Sequence, residues 1–233
     1  MSKHQNKLIR RYTLADILMH WSVAIGFILA LVTGYLIFFK GSASLLDNSA
    51  GNILRLVHRI GGLIFIVAPV IYFIFSKKRF GFLTAFKWDK SDLGWLKAAP
   101  KHYFVGGDGM PPQAKYNTGQ KMYYLFVLIF GLLLIVTGFA LWFDWFKGPA
   151  GLFMVVVHDV SALMVTLFFG VHIYLSAIHP RERVSFNAMV TGYMDEDYAE
   201  HHHEIWYNEE IEKEKEKEKE KNKQSQKNHK PTA

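Results

Sequence analysis

The sequence predicts an all-α integral membrane protein, a bundle of four transmembrane helices with both termini in the cytoplasm. Three observations lead there: four long apolar segments, a lopsided placement of lysine and arginine, and histidines lodged within the apolar segments. The 233 residues are 51% hydrophobic and 15% aromatic, a balance that a soluble domain could share until the apolar residues are located. They are bunched into residues 14–39, 54–76, 119–146 and 152–178. Each run offers about 20 or more mainly apolar residues, the length that crosses a hydrocarbon core of ~30 Å.

The first run follows Lys7, Arg10 and Arg11 and so has the look of a signal peptide. It is longer than a signal core of about 7 to 15 residues, and no small-x-small cleavage site follows it cleanly, so it reads as a retained helix. Orientation comes from charge. Lys3, Lys7, Arg10 and Arg11 precede the first run, and Lys77, Lys78, Arg79, Lys87, Lys90, Lys97, Lys101 and Lys115 lie between the second and third. The other side carries only Lys40, Arg55, Arg59 and Lys147. The positive-inside rule then places both termini and the 77–118 loop in the cytoplasm. This also accounts for the net charge of +7 without a nucleic-acid partner.

Two segments lie outside the bilayer. The 77–118 loop mixes Gly, Pro and charge (KAAPKHYFVGGDGMPPQAKYNTG) and is expected to be irregular, with one short amphipathic helix around DKSDLGWLKAA. Residues 201–233 form a polar tail. From 208 onward it becomes a low-complexity Glu/Lys run that buries no core and reads as a solvated helix or a disordered segment. The expected division is therefore a membrane domain over 1–200 and this tail.

The chain has no cysteine, which excludes thiolate-held iron–sulfur clusters and covalent C-x-x-C-H haem attachment. Any metal must be held by histidine or oxygen. Of eleven histidines, His20, His58, His158 and His172 fall in or at the ends of apolar segments, where an ionisable group is costly and faces the bundle interior. One such histidine alone is often only a hydrogen-bonded packing residue. Depth makes the set more informative. With the N-terminus inside, His58 and His158 lie near the outer surface, and His20 and His172 near the inner one. Fourteen residues at 1.5 Å each separate His158 from His172 by ~21 Å and return to within ~40° of the same face. One helix thus offers two ligands stacked across the membrane.

A single zinc or copper ion cannot use all four, because its ligands lie near 2 Å from it. Two histidines per site instead fit a six-coordinate iron whose remaining ligands come from a porphyrin. The bundle is therefore expected to be of the dihaem cytochrome b type, with two b haems. Gly61 and Gly62, after His58, and Ser161 and Ala162, after His158, would clear the face beside each imidazole. Glycines equally allow close helix approach in membranes. Gly131 and Gly138 would form a wall beside the cofactors. Arg55 and Arg59 outside, and Arg10 or Arg11 inside, serve either haem propionates or the interface. His4, His102, His179 and His229 read as solvated, and the run His201, His202 and His203 suggests no physiological site.

Several stretches together resemble the cytochrome b556 (gamma) subunit of membrane-bound formate dehydrogenases: HW at 20–21, HRIGG from 58, KYNTGQKM from 115, the 158-to-172 spacing, and HHHEIWYNEEIEK from 201. The resemblance covers residues 8 to 213. It implies the ligand pairs His58 with His158 and His20 with His172. It also implies a menaquinone site formed by Asn117, Gly119, Gln120 and His172. The chain departs from that pattern in YFVGGDGMPPQ and in the Glu/Lys tail.

The resulting expectation is a membrane-anchoring electron conduit. It would receive electrons from an iron–sulfur (beta) subunit, pass them inward through two haems, and deliver them to menaquinone near the cytoplasmic side. Formate oxidation would belong to a molybdenum or tungsten catalytic (alpha) subunit. The alternatives are the cytochrome b subunit of a nickel–iron hydrogenase, which the N-x-G-Q motif disfavours, and a haem-free transporter or anchor.

Overall fold

Helix boundaries follow from local chemistry. Thr13 opens the first spanning helix, α1 (Leu14–Phe38), through a reciprocal cap in which its side chain accepts from the Asp16 amide while Asp16 accepts from the Thr13 amide at 2.7 Å. In the computed structural model, which describes residues 7–39, 49–77, 79–106, 109–180 and 182–228, three further spans follow. They are α2 (Ser49–Phe75), α4 (Thr118–Trp142) and α5 (Gly148–Ile173), the last continuing as a π-helical turn over Tyr174–Ile178. All four are long and apolar enough to cross a membrane. Lys3, His4, Lys40, Lys78 and His229 lie outside the described residues.

Their surfaces confirm the solvent for which they are built. Leu163 and Leu167 of α5 are 60% and 62% exposed, and similar large apolar side chains cover the other spans. A water-soluble protein does not display contiguous apolar surface on this scale.

The chain divides into two units. The first comprises residues 10–83 and 122–193 and contains most of the spans. Within it α1 and α2 meet backbone to backbone at two glycines: a Cβ on Gly61 would lie 2.7 Å from both the Gly26 oxygen and the Ala30 nitrogen. The Tyr72 hydroxyl donates to Asp16 at 2.5 Å, and the Tyr35 hydroxyl donates to Thr166 at 3.3 Å, tying α1 to α2 and to α5. Helix α6 (Val184–Thr191) ends at Gly192, whose φ of 85° is costly for a side chain, and Trp21 Nε1 donates to the Met189 carbonyl at 3.0 Å.

The second unit comprises residues 84–121 and 194–233 with the first nine residues. Its helix α3 (Lys90–Val105) is the predicted amphipathic helix, but it runs on through Pro100 to a left-handed stop at Gly106. Asp89 caps it, accepting from the Ser91 amide at 2.7 Å. Short strands β1 (Leu8–Arg10) and β2 (Tyr193–Asp195) pair, followed by α7 (Glu196–His202) and α8 (Glu204–Asn228). The Glu/Lys run is thus helical here. Trp206 and His203 are buried at its base, and the described side chains from Glu212 to Ser225 are exposed.

Candidate functional site

The four intramembrane histidines come together as two pairs. His58 and His158 face each other with ring centroids 6.2 Å apart, and His20 and His172 with centroids 6.4 Å apart. Two imidazoles on opposite sides of one metal ion, each nitrogen about 2 Å from it, place their centroids roughly 6 Å apart. Both pairs therefore fit axial ligation of an iron. Among the described residues no three His, Asp or Glu side chains converge as a metal site, and two histidines per iron suit a macrocycle that supplies the other ligands.

The pair of His58 and His158 is anchored from behind. His58 Nδ1 lies 2.9 Å from the Ala30 carbonyl and 3.3 Å from Thr33 Oγ1, and His158 Nδ1 lies 2.9 Å from Thr137 Oγ1. Bonding at Nδ1 leaves Nε2 of each ring as the ligand nitrogen, the arrangement that metal-binding histidines generally use. The pair of His20 and His172 is flanked by rings instead. Trp21 meets His20 edge-on at 5.3 Å, and Tyr123 stacks on His172 at 4.6 Å. His20 Nδ1 is buried with no hydrogen-bond partner among the described residues.

Residues 11–192 match the profile of the prokaryotic cytochrome b561 family. The chain belongs to that family. As a cytochrome b it binds haem b, and the two histidine pairs have a separation that fits its iron. Its relatives include the formate dehydrogenase cytochrome b556 subunit of Haemophilus influenzae, 28% identical over 89% of this chain and 85% of the relative. Two proteins of Escherichia coli are similar to it as well. The formate dehydrogenase cytochrome b556(fdo) subunit is 29% identical over 86% of this chain and 92% of its own length. The nitrate-inducible cytochrome b556(Fdn) subunit is 26% identical over 91% and 95%.

The small residues of this cytochrome divide between two jobs. Gly61 serves the contact of α1 with α2 rather than clearance beside His58, whereas a Cβ on Gly62 would meet nothing within 4 Å. Gly138 does stand beside a candidate ligand, its Cβ position 3.5 Å from His158, while Gly131 faces Phe65 at 3.7 Å. Sequence reasoning missed Thr33, Gly34 and Thr137. Gly34 makes the room for His58, its Cβ position lying 3.1 Å from that ring. The signal was present as a repeated Val-Thr-Gly-aromatic tetrad, at 32–35 in α1 and 136–139 in α4. In each copy the Thr meets a histidine Nδ1 and the Gly makes way for the same ring.

Phenylalanines fill α1, α2 and α5 between the pairs: Phe27 lies 5.0 Å from Phe169 and 6.2 Å from Phe65. At the His58 end of the bundle, Arg59 lies over Trp142 at 5.0 Å and Arg55 donates to Asn52 at 2.8 Å.

In the other unit, the N-x-G-Q motif builds the start of α4. The Gln120 amide donates to Asn117 Oδ1 at 2.9 Å and the Asn117 amide donates to Gln120 Oε1 at 3.2 Å, a reciprocal cap. A Cβ on Gly119 would lie 2.9 Å from the Trp95 ring. Behind this turn Asp92, with a side chain 3% exposed, pairs with Lys121 at 2.9 Å and accepts from Thr118 at 2.7 Å. Gln113 Oε1 accepts from the Thr118 amide at 2.9 Å. His102 is buried rather than solvated, and His203 is buried as well, donating from Nδ1 to the Ala114 carbonyl at 2.9 Å. His179 is buried too.

Proposed function

We propose that this cytochrome is the membrane-anchoring subunit of a formate dehydrogenase, carrying electrons across the bacterial inner membrane from an iron–sulfur subunit to menaquinone. The observation that carries the reading is the two histidine pairs at one metal-bridging separation, stacked along α5 in a chain whose relatives are formate dehydrogenase cytochrome b556 subunits. Bound between each pair, a b haem supplies an iron that accepts and gives up one electron at a time.

The residues have separate parts. His58 and His158 hold the outer iron, and Ala30, Thr33 and Thr137 fix those two rings. His20 and His172 hold the inner iron. The phenylalanines of α1, α2 and α5 keep the interval between the pairs apolar. Asn117, Gly119 and Gln120 are the candidates for the menaquinone site, where the reciprocal cap uses the Asn117 backbone N–H and Oδ1 and leaves its side-chain Nδ2 as a donor toward a quinone oxygen. Lysines and arginines before α1 and between α2 and α4 support cytoplasmic termini. With menaquinone reduced on that side, the chain would move negative charge inward and draw protons from the cytoplasm.

The experiment is reduction of the intact membrane complex by formate, or separately by hydrogen, followed at the haem absorption band. Reduction by formate and reoxidation by a menaquinone analogue are expected. In Asn117→Ala, reduction by formate should persist while reoxidation slows. Reduction by hydrogen alone would reassign the chain to a hydrogenase.

A further inference from the structure

We propose that the hydrogen bonds behind the outer histidines hold the outer iron at a lower reduction potential than the inner one, with Thr33 and Thr137 as the positioning residues that set the difference. The inference rests on the two-haem reading above.

The direction of each hydrogen bond can be worked out from the threonines. Thr33 Oγ1 lies 2.6 Å from the Leu29 carbonyl, and Thr137 Oγ1 lies 2.6 Å from the Leu133 carbonyl. A hydroxyl has one proton to donate, and here it goes to the preceding turn of the same helix. Toward the imidazole each threonine therefore offers only lone pairs. His158 Nδ1, at 2.9 Å from Thr137 Oγ1, must be the donor. His58 Nδ1 faces two acceptors, the Ala30 carbonyl and Thr33 Oγ1, and must donate as well. Both outer rings thus carry the proton on Nδ1 and keep the Nε2 lone pair for iron.

Donation from the far nitrogen makes the ligating nitrogen more basic. A more basic ligand stabilises ferric over ferrous iron and lowers the potential. The inner pair has no matching support: among the described residues neither His20 nor His172 makes a side-chain hydrogen bond, and their neighbours are the rings of Trp21 and Tyr123. An electron that enters at the outer pair therefore has a downhill step to the inner pair. Arg59, one residue after His58, acts the other way, because a nearby cation favours reduced iron. Substitutions at the threonines leave that cation in place and isolate the hydrogen bonds.

The test is an optical redox titration of the haem-loaded complex as wild type, Thr33→Val, Thr137→Val, the double variant and Thr137→Ser. Wild type should titrate in two waves, and His158→Ala should abolish the lower one. Thr137→Val should move the lower wave upward, the double variant further, and Thr137→Ser little, with the upper wave and the haem count unchanged. If valine at 137 costs the haem itself, Thr33→Val carries the test alone, with a smaller upward shift because His58 keeps the Ala30 carbonyl. The inference is overturned if two haems are present but the lower wave belongs to the inner pair, or if the valine variants leave both waves in place. Fewer than two haems in the wild type would instead overturn the two-haem reading, and this inference with it.

Discussion

Alanine at position 61 separates the two jobs that glycines do in this bundle. Its Cβ would lie 2.7 Å from the Ala30 nitrogen, 2.7 Å from the Gly26 oxygen and 3.1 Å from Leu29 Cβ. Two of those atoms are backbone of α1 and cannot rotate away, so α1 and α2 must separate by several tenths of an ångström. Alanine favours a helix over glycine by roughly 1 kcal/mol, whereas overpacking of a tight interface costs about 1–3 kcal/mol. Strain at two backbone atoms puts the cost at the upper end of that range, so a net loss of ~1–2 kcal/mol is expected for Gly61→Ala. Gly62→Ala meets nothing within 4 Å, so only the helix preference acts and the change should stabilise the protein by up to ~1 kcal/mol. The assay is unfolding in mild detergent by added dodecyl sulfate, followed by helical circular dichroism. A Gly61→Ala protein as stable as wild type, or a Gly62→Ala protein that is the less stable of the two, would refute the assignment of Gly61 to helix approach.

Three further predictions concern the other unit and the topology. Lys121→Met leaves the Asp92 carboxylate buried without its cation and should cost ~3–5 kcal/mol, while Asp92→Asn with Lys121→Met together should cost less than either single change; proteolysis of the 84–121 region measures the order. Asp89 is more acidic than an ordinary aspartate, chiefly through its hydrogen bond with Ser91. A carboxyl whose folded pKa is depressed contributes its stability above the unfolded value, about 3.9, and loses it as pH falls through the lower folded value. Amide exchange in the first turn of α3 should therefore quicken below about pH 4, and Asp89→Ala, which removes the cap at a cost of ~1 kcal/mol, should show that fast exchange at neutral pH. Reporter fusions at the N-terminus, in the 77–118 loop and at the C-terminus should all be active in the cytoplasm, and a fusion after Trp142 outside it; an external loop reporter would overturn the positive-inside orientation.

The spans were legible because a helix in lipid must be apolar all round, so composition alone marks it, and their observed limits lie within a few residues of the expected ones. The histidine pairs were legible for a related reason. Alternating helix direction converts position along the chain into depth, and depth sorts His58 with His158 and His20 with His172. What surrounds them was not legible. Thr33 and Thr137 sit in a repeated tetrad, but the repeat does not name their partners, and only the packing of α1 on α2 and of α4 on α5 shows that each meets a histidine. Gly61 was ambiguous for the same reason: a glycine next to a ligand reads alike whether it faces a cofactor or another backbone. The pairing of Asp92 with Lys121 joins the start of α3 to the start of α4 across an irregular stretch, with no periodic pattern to announce it. The Asn117/Gln120 cap, by contrast, carries a polar-x-x-Gln signature at the start of an apolar run, which attention to the motif as a binding site obscured.

The central claim is that this chain holds two haems, each between one histidine of α5 and one from α1 or α2. A pyridine haemochrome count on the purified chain, with His58→Ala and His172→Ala beside it, tests that most directly. The account predicts two b haems per chain in the wild type and one in each variant, with the spectrally different haem lost in the two cases. A well-folded wild-type chain without haem, or variants that both lose the same one, would contradict it.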